Sequence, residues 1–119
     1  MGINRINGNI VIDIDRKDSL YWGSGWMWDD DPSTDFPYLS SVNINDNAIK
    51  VSVKPGPLNE PGVIEVIPNT DFVRIINTST TTIGIKNKII ITRDFINRTN
   101  DIIIKGEIGV NASRFVNEI

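Results

Sequence analysis

The sequence predicts a mainly β fold, an antiparallel Greek-key sheet or small sandwich with little helix. Three observations predict it. Apolar and polar residues alternate with period two in several short segments. Clusters of Asn, Asp, Pro and Gly separate those segments at close spacing. Ile, Val and Thr fill the segments themselves, and these side chains suit a pleated surface.

The elements follow in order. Ile10, Ile12 and Ile14 alternate with Val11, Asp13 and Asp15, the pattern of a half-buried strand. Ser40, Val42 and Ile44 face one way before the turn-forming Asn45-Asp46-Asn47, and Ile49, Val51 and Val53 alternate with Lys50, Ser52 and Lys54. These two segments read as a hairpin with its polar face in water. Lys54 to Gly62 is a loop on its proline and glycine content. Val63 to Ile67 reads as a strand stopped by Pro68, and Phe72 to Ile76 as another, with Arg74 outward. Asn77 to Thr82 reads as a polar turn. Lys88 to Arg93 and Asp101 to Ile108 are strands, their triple-Ile runs covered on both faces. Helix is expected only as one turn at Asp15 to Leu20 and as a short start at Ser113 to Ile119, with Ser113 as N-cap.

One domain is expected over residues 1–119, with a Trp/Asp loop at about 15–38, a strand-rich part at about 39–109 and a C-terminal connector at 110–119. Composition excludes several function classes. The net charge is −3 and no basic stripe is present, which speaks against nucleic acid. No apolar run can span a bilayer, and no export signal opens the chain. Cysteine and histidine are both absent, which removes thiolate chemistry, the cysteine zinc site and the commonest general base. No cofactor is expected.

The segment Tyr21-Trp22-Gly23-Ser24-Gly25-Trp26-Met27-Trp28-Asp29-Asp30-Asp31-Pro32 holds all three tryptophans. Its glycines and terminal proline exclude a regular element, and it lies within the linking segment 15–38, whose length is uncommon in compact domains unless functional. Two readings stand. The rings anchor the loop on the sheet, or they form a stacking platform for a sugar ring or an aliphatic chain. The aspartates can bind calcium, recognise a ligand ammonium, or cap the loop backbone. Their spacing does not match a calcium loop, and no metal is expected. Ser41-Val42-Asn43 spells S-x-N, but S-x-x-K and K-T-G are missing, so no catalytic residue is assigned. Three N-x-[ST] matches, beginning at Asn77, Asn97 and Asn111, are expected by chance in so Asn-rich a chain.

Gly25-Trp26-Met27-Trp28-Asp29-Asp30-Asp31-Pro32 resembles the G-W-x-W-D-D-x-P signature of the class C low-molecular-mass penicillin-binding proteins, the D-alanyl-D-alanine carboxypeptidases and endopeptidases of the DacB type. Further pieces resemble the family in the same order. They are Gly8-Asn9-Ile10-Val11-Ile12-Asp13, with Asn9 where the family has Asp, then Val42 to Asn47, and Val51-Ser52-Val53-Lys54-Pro55-Gly56. Pro68-Asn69-Thr70-Asp71-Phe72 with Ile75-Ile76-Asn77 follows, and Ile104-Lys105-Gly106-Glu107-Ile108 closes the set.

The resemblance implies a β-rich insertion of such an enzyme rather than its catalytic domain. Its partners would be the catalytic penicillin-binding domain of a parent chain and the peptidoglycan stem peptide. Its location would be extracytoplasmic if it is exported with that parent. By position, Trp26 would pack on the aliphatic part of the stem peptide's diamino acid and Asp29 would accept from its ammonium. The chain departs from the family after Pro32, with Ser33-Thr34-Asp35 where tyrosines are common; Phe36 or Tyr38 are the available substitutes. The alternative is an independent carbohydrate- or peptidoglycan-binding module in which Tyr21, Trp22, Trp26 and Trp28 stack on a glycan.

Overall fold

A computed structural model describes residues 4–13, 23–27, 41–97 and 99–119. The expected mainly β class is what it shows. Six strands run in chain order: β1 (Lys50–Lys54), β2 (Val63–Ile67), β3 (Arg74–Thr82), β4 (Ile90–Arg93), β5 (Asp101–Gly109) and β6 (Phe115–Glu118). They form two three-stranded sheets, ordered β2-β1-β6 and β3-β5-β4. Every pairing is antiparallel except β3 with β5, which run parallel from Arg74↔Asp101 to Thr82↔Gly109.

The alternation of each strand decides what it buries. Val51 and Val53 of β1, Ile102, Ile104 and Ile108 of β5, and Ile89 and Ile91 at β4 gather with Ile119 into one buried cluster. That cluster takes side chains from both sheets, with Ile64, Val66, Ile75 and Phe115 packed at its margin. At about 25 cal/mol per Å² of apolar surface removed from water, this burial is the main favourable term for the fold.

Several expectations are corrected. Residues 4–13 form no strand, and Ile10, Val11 and Ile12 are exposed. Ile14, Asp15 and the turn at 15–20 lie outside the described residues. Ser41 to Ile44 is also not a strand, so Asn45–Asn47 does not close a hairpin. It is a single turn whose residues have φ of 55, 54 and 54°, held by the Asn45 amide donating to the Ala48 carbonyl at 2.7 Å. Its strand neighbour β1 pairs with β2 and β6 instead. Ser52 does not face water: as the middle of a central strand it is buried, and its hydroxyl donates to Glu65.

Asn77 to Thr82 is strand, because β5 supplies a partner along its whole length. Ser113 to Ile119 is not helical. Phe115–Glu118 pairs with β1, the Lys50–Glu118 ion pair of 2.9 Å falls on directly opposed residues, and Ile49 and Ile119 exchange both backbone hydrogen bonds beyond it. The triple-Ile runs are covered unequally, with Ile89 and Ile91 buried but Ile90 54% exposed.

The outer edge of β3 is closed by the β1–β2 loop. Asn59 N–H donates to the Thr81 carbonyl at 2.9 Å, and Thr81 N–H to the Glu60 carbonyl at 2.7 Å. The inward hydroxyls of the same strand accept loop amides, Gly56 N–H on Thr81 Oγ1 at 3.0 Å and Gly62 N–H on Ser79 Oγ at 3.1 Å. Asn77 Nδ2 donates to the Gly62 carbonyl at 2.8 Å. Both glycines are required by contact: a Cβ on Gly56 would overlap the Pro61 carbonyl, and one on Gly62 would press on Val53.

Gly106 is the second backbone constraint. It has φ +107°, and a Cβ there would overlap the Lys88 carbonyl oxygen. The pairing of β4 with β5 continues past it to an Asn87↔Ile108 bridge, so the close approach lies inside the sheet. Gly106→Ala should therefore destabilise the chain by about 2–4 kcal/mol, combining left-handed strain with overpacking. Urea melts of the variant and the parent sequence would measure it.

Arg74 and Asp101 begin the parallel pair. The guanidinium donates from Nε to Asp101 Oδ1 at 2.9 Å and from Nη2 to Oδ2, a two-pronged pair on directly opposed residues. This hydrogen bonding holds the Asp101 carboxyl below its ordinary value, against the opposing effect of burial. A depressed carboxylate contributes stability above its unfolded pKa and loses it as pH falls through the folded one. Asp101→Asn should thus flatten the acid limb of a Tm-versus-pH curve while lowering Tm at neutral pH.

Candidate functional site

Of the two residues expected to contact substrate, Trp26 lies in the described part of the chain and Asp29 outside it. Tyr21, Trp22, Trp28, Asp30, Asp31, Phe36 and Tyr38 also lie outside the described residues. The described tip of the loop is Gly23-Ser24-Gly25-Trp26-Met27.

These five residues build a tight turn. Trp26 N–H donates to the Gly23 carbonyl at 3.2 Å, and Gly25 has φ +88°. An i-to-i+3 bond with positive φ only at the third position is a type II turn, in which glycine is the favoured residue at that point. The turn folds the indole back over its own start. A Cβ on Gly23 would lie 2.8 Å from Trp26 Cε2 and 3.0 Å from Nε1, so the ring rests on bare backbone. Trp26 is half-buried as a result, and Met27 beside it is 61% exposed.

The two glycines thus have separate tasks. Gly25 supplies the left-handed residue, and Gly23 clears the space for the ring. Sequence reading found the aromatic residue but not these supports, although the G-x-G-W spacing is the signal that carries them.

A groove elsewhere on the molecule was not anticipated. It is open to solvent and lies at one end of the β2-β1-β6 sheet, where Asn45, Asp46 and Ile49 face Ile67 and Pro68. Its polar groups are largely engaged with one another: Lys50 pairs with Glu118, and the Asn45 amide serves its own turn. Across the outer face of the same sheet, Glu65 takes both Lys54 at 3.2 Å and Arg114 at 3.5 Å. The lysine's hydrogen bond is the main cause of the lowered Glu65 pKa. These pairs are exposed, and such pairs contribute little to stability. Among the described residues no group of three or more His, Cys, Asp or Glu gathers as a metal site would need. Among them, too, no helix is long and apolar enough to cross a membrane.

The family comparison decides the class. The model of the D-Ala-D-Ala carboxypeptidase 3 (S13) family matches residues 1–118. The chain belongs to that family. Its members are serine-type hydrolases of peptidoglycan, a substrate that lies outside the cytoplasm. No curated protein sequence matches the chain.

The Gly23 contact gives a direct test of the turn. Gly23→Val should displace the Trp26 ring and change the near-ultraviolet circular dichroism of the tryptophans. The urea midpoint should move by less than about 0.5 kcal/mol equivalent, as for surface changes remote from the core.

Proposed function

We propose that this chain is a non-catalytic, β-rich accessory region of a serine-type D-alanyl-D-alanine carboxypeptidase, and that its Trp/Asp loop lines one wall of the substrate cleft. The observation that carries the proposal is a pairing. The family match spans residues 1–118, yet the 119 residues contain neither S-x-x-K nor K-T-G. An acyl transfer needs an activated nucleophile, and the motifs that supply one in penicillin-recognising enzymes are missing. Bond cleavage is therefore assigned to a catalytic penicillin-binding domain on the parent chain.

The exposed apolar side chains support a partner domain. Val11, Ile83 and Phe72 are 88%, 84% and 76% exposed, and Ile10 and Ile85 nearly as much. Single exposed apolar residues are ordinary, but so many in so small a scaffold fit a surface that meets further polypeptide.

In the cleft, Trp26 would offer an apolar wall to the methylenes of the stem peptide's diamino acid. Asp29 would accept a charge-assisted hydrogen bond from the ammonium at its end. The type II turn supports this role because it fixes the indole before any ligand arrives, which lowers the ordering cost of binding.

Two measurements test the proposal. Incubated with a fluorescent penicillin, the isolated chain should acquire no covalent label and should release no D-alanine from a D-alanyl-D-alanine peptide; stoichiometric labelling would refute the accessory role. In the parent enzyme, Asp29→Asn should raise KM about 10- to 100-fold with kcat little changed, the loss of one charge-assisted hydrogen bond. Tight binding of plain oligosaccharides by the isolated chain, followed by tryptophan fluorescence, would instead favour the independent module.

A further inference from the structure

We propose that Asn7-Gly8 is a self-modifying site, at which the chain converts Asn7 to aspartate and isoaspartate without an enzyme. The reaction needs a backbone N–H that can reach the side-chain amide of the preceding asparagine. The Gly8 nitrogen, losing its proton to base, attacks Cγ of Asn7. The new C–N bond closes a five-membered imide, the old C–N bond to the side-chain nitrogen breaks, and ammonia leaves. Water then opens the imide at either carbonyl. The balance is one water consumed and one ammonia released, with no oxidant or reductant.

Two features of the structure select this asparagine. Asn7 is the only asparagine in the chain followed by glycine, so no Cβ shields the attacking nitrogen. Asn7 and Gly8 are exposed and lie in a segment with no strand or helix. Gly8 has φ +140° and open space where a side chain would be, with nothing within 4 Å. Imide closure requires ψ of Asn7 and the following peptide to turn freely, and an unrestrained glycine permits it.

The fold protects several of the other asparagines. The attacking N–H is already committed after Asn47, Asn59, Asn87 and Asn111: Ala48 donates to Asn45, Glu60 to Pro57, Lys88 to Glu107 and Ala112 to Gly109. Elsewhere the side chain is pinned. Asn77 donates to the Gly62 carbonyl and accepts from Ser79, and Asn97 donates to Asp94 at 2.8 Å. An amide held by hydrogen bonds cannot rotate onto its own backbone.

The change has a structural consequence. It adds one carboxylate to a chain already at −3. In the isoaspartate product it inserts a methylene into the main chain at residue 7, three residues before the exposed apolar run Ile10, Val11 and Ile12. The spacing of those residues relative to everything before them then shifts by one main-chain atom, which would misalign any partner surface they meet.

The full chain should be incubated in mildly alkaline buffer and digested at intervals for peptide mass analysis, with isoaspartyl methyltransferase labelling in parallel. The expected result is a mass gain of one NH-to-O exchange confined to the peptide holding Asn7, matched by methyl acceptance there. Its rate should rise in proportion to hydroxide. Asn7→Gln should abolish both signals, because its longer side chain must close a larger ring, and Gly8→Val should slow them severely. Asn7→Gln does not touch the described core, so it should keep the wild-type urea midpoint. The proposal is overturned if the peptide stays unmodified while an Asn-Gly reference peptide converts in the same tube. It is equally overturned if Asn45 or Asn47 changes first.

Discussion

The structure depends on how the free edge of β3 is closed. A strand at a sheet edge presents unpaired N–H and C=O groups, and β3 has β5 on one side only. The β1–β2 loop covers the other side through both backbone groups of Thr81. Because that loop leaves β1 and returns in β2, the contact ties the first sheet to the second, and the shared Ile and Val cluster sits between them. The hydroxyls of Ser79 and Thr81 explain how polar residues can be buried inside this edge: each accepts an amide of Gly62 or Gly56 that burial would otherwise strand. The glycines let the loop backbone come that close.

This arrangement explains which strands were legible in the sequence. β1, β2 and β5 carry Val and Ile in patterns that a local reading recognises. Asn77 to Thr82 was misread because its residues are polar by composition and β-branched by shape, and local pattern cannot say which property wins. The partner strand β5 decides it, more than twenty residues away. β6 failed for the same reason from the other direction. Ser113 ahead of an apolar-polar run satisfies the local signature of a helix start, but pairing with β1 outweighs a single cap. Ile10 to Ile12 shows the converse. Its alternation is strand-like, and no strand forms among the described residues, since a period of two states only that a chain can pair.

The site was legible in a different way. Trp26 stood out as a large aromatic in a glycine-bearing loop, and the structure gives the glycines their reasons. The pieces that resemble the carboxypeptidase family mostly mark backbone constraints of this kind. Gly56 closes the β3 edge, Gly106 admits the Lys88 carbonyl, and Asn45 to Asn47 hold three left-handed residues in a row. Only glycine, asparagine and aspartate take such positions readily, so a sequence that keeps this backbone must keep those residues. The order of motifs is thus a record of the scaffold, and under the proposed function ligand contact would fall to side chains such as Trp26 that the scaffold carries.

Under the proposed accessory role, that separation bears on how a region without a nucleophile would serve a hydrolase. A cleft wall must hold its shape before the substrate arrives, or its binding energy is spent on ordering. In that role the described tip of the Trp/Asp loop would meet the need locally. One backbone bond from Trp26 to Gly23, one left-handed glycine and one ring resting on a bare Cα help fix the indole within four residues. The sheets in turn are fixed by the edge of β3 and the Ile–Val cluster. Under that role, a tip shaped by its own turn and a base shaped by its own edge would meet a neighbouring domain already formed, and the exposed apolar side chains would define where that neighbour sits.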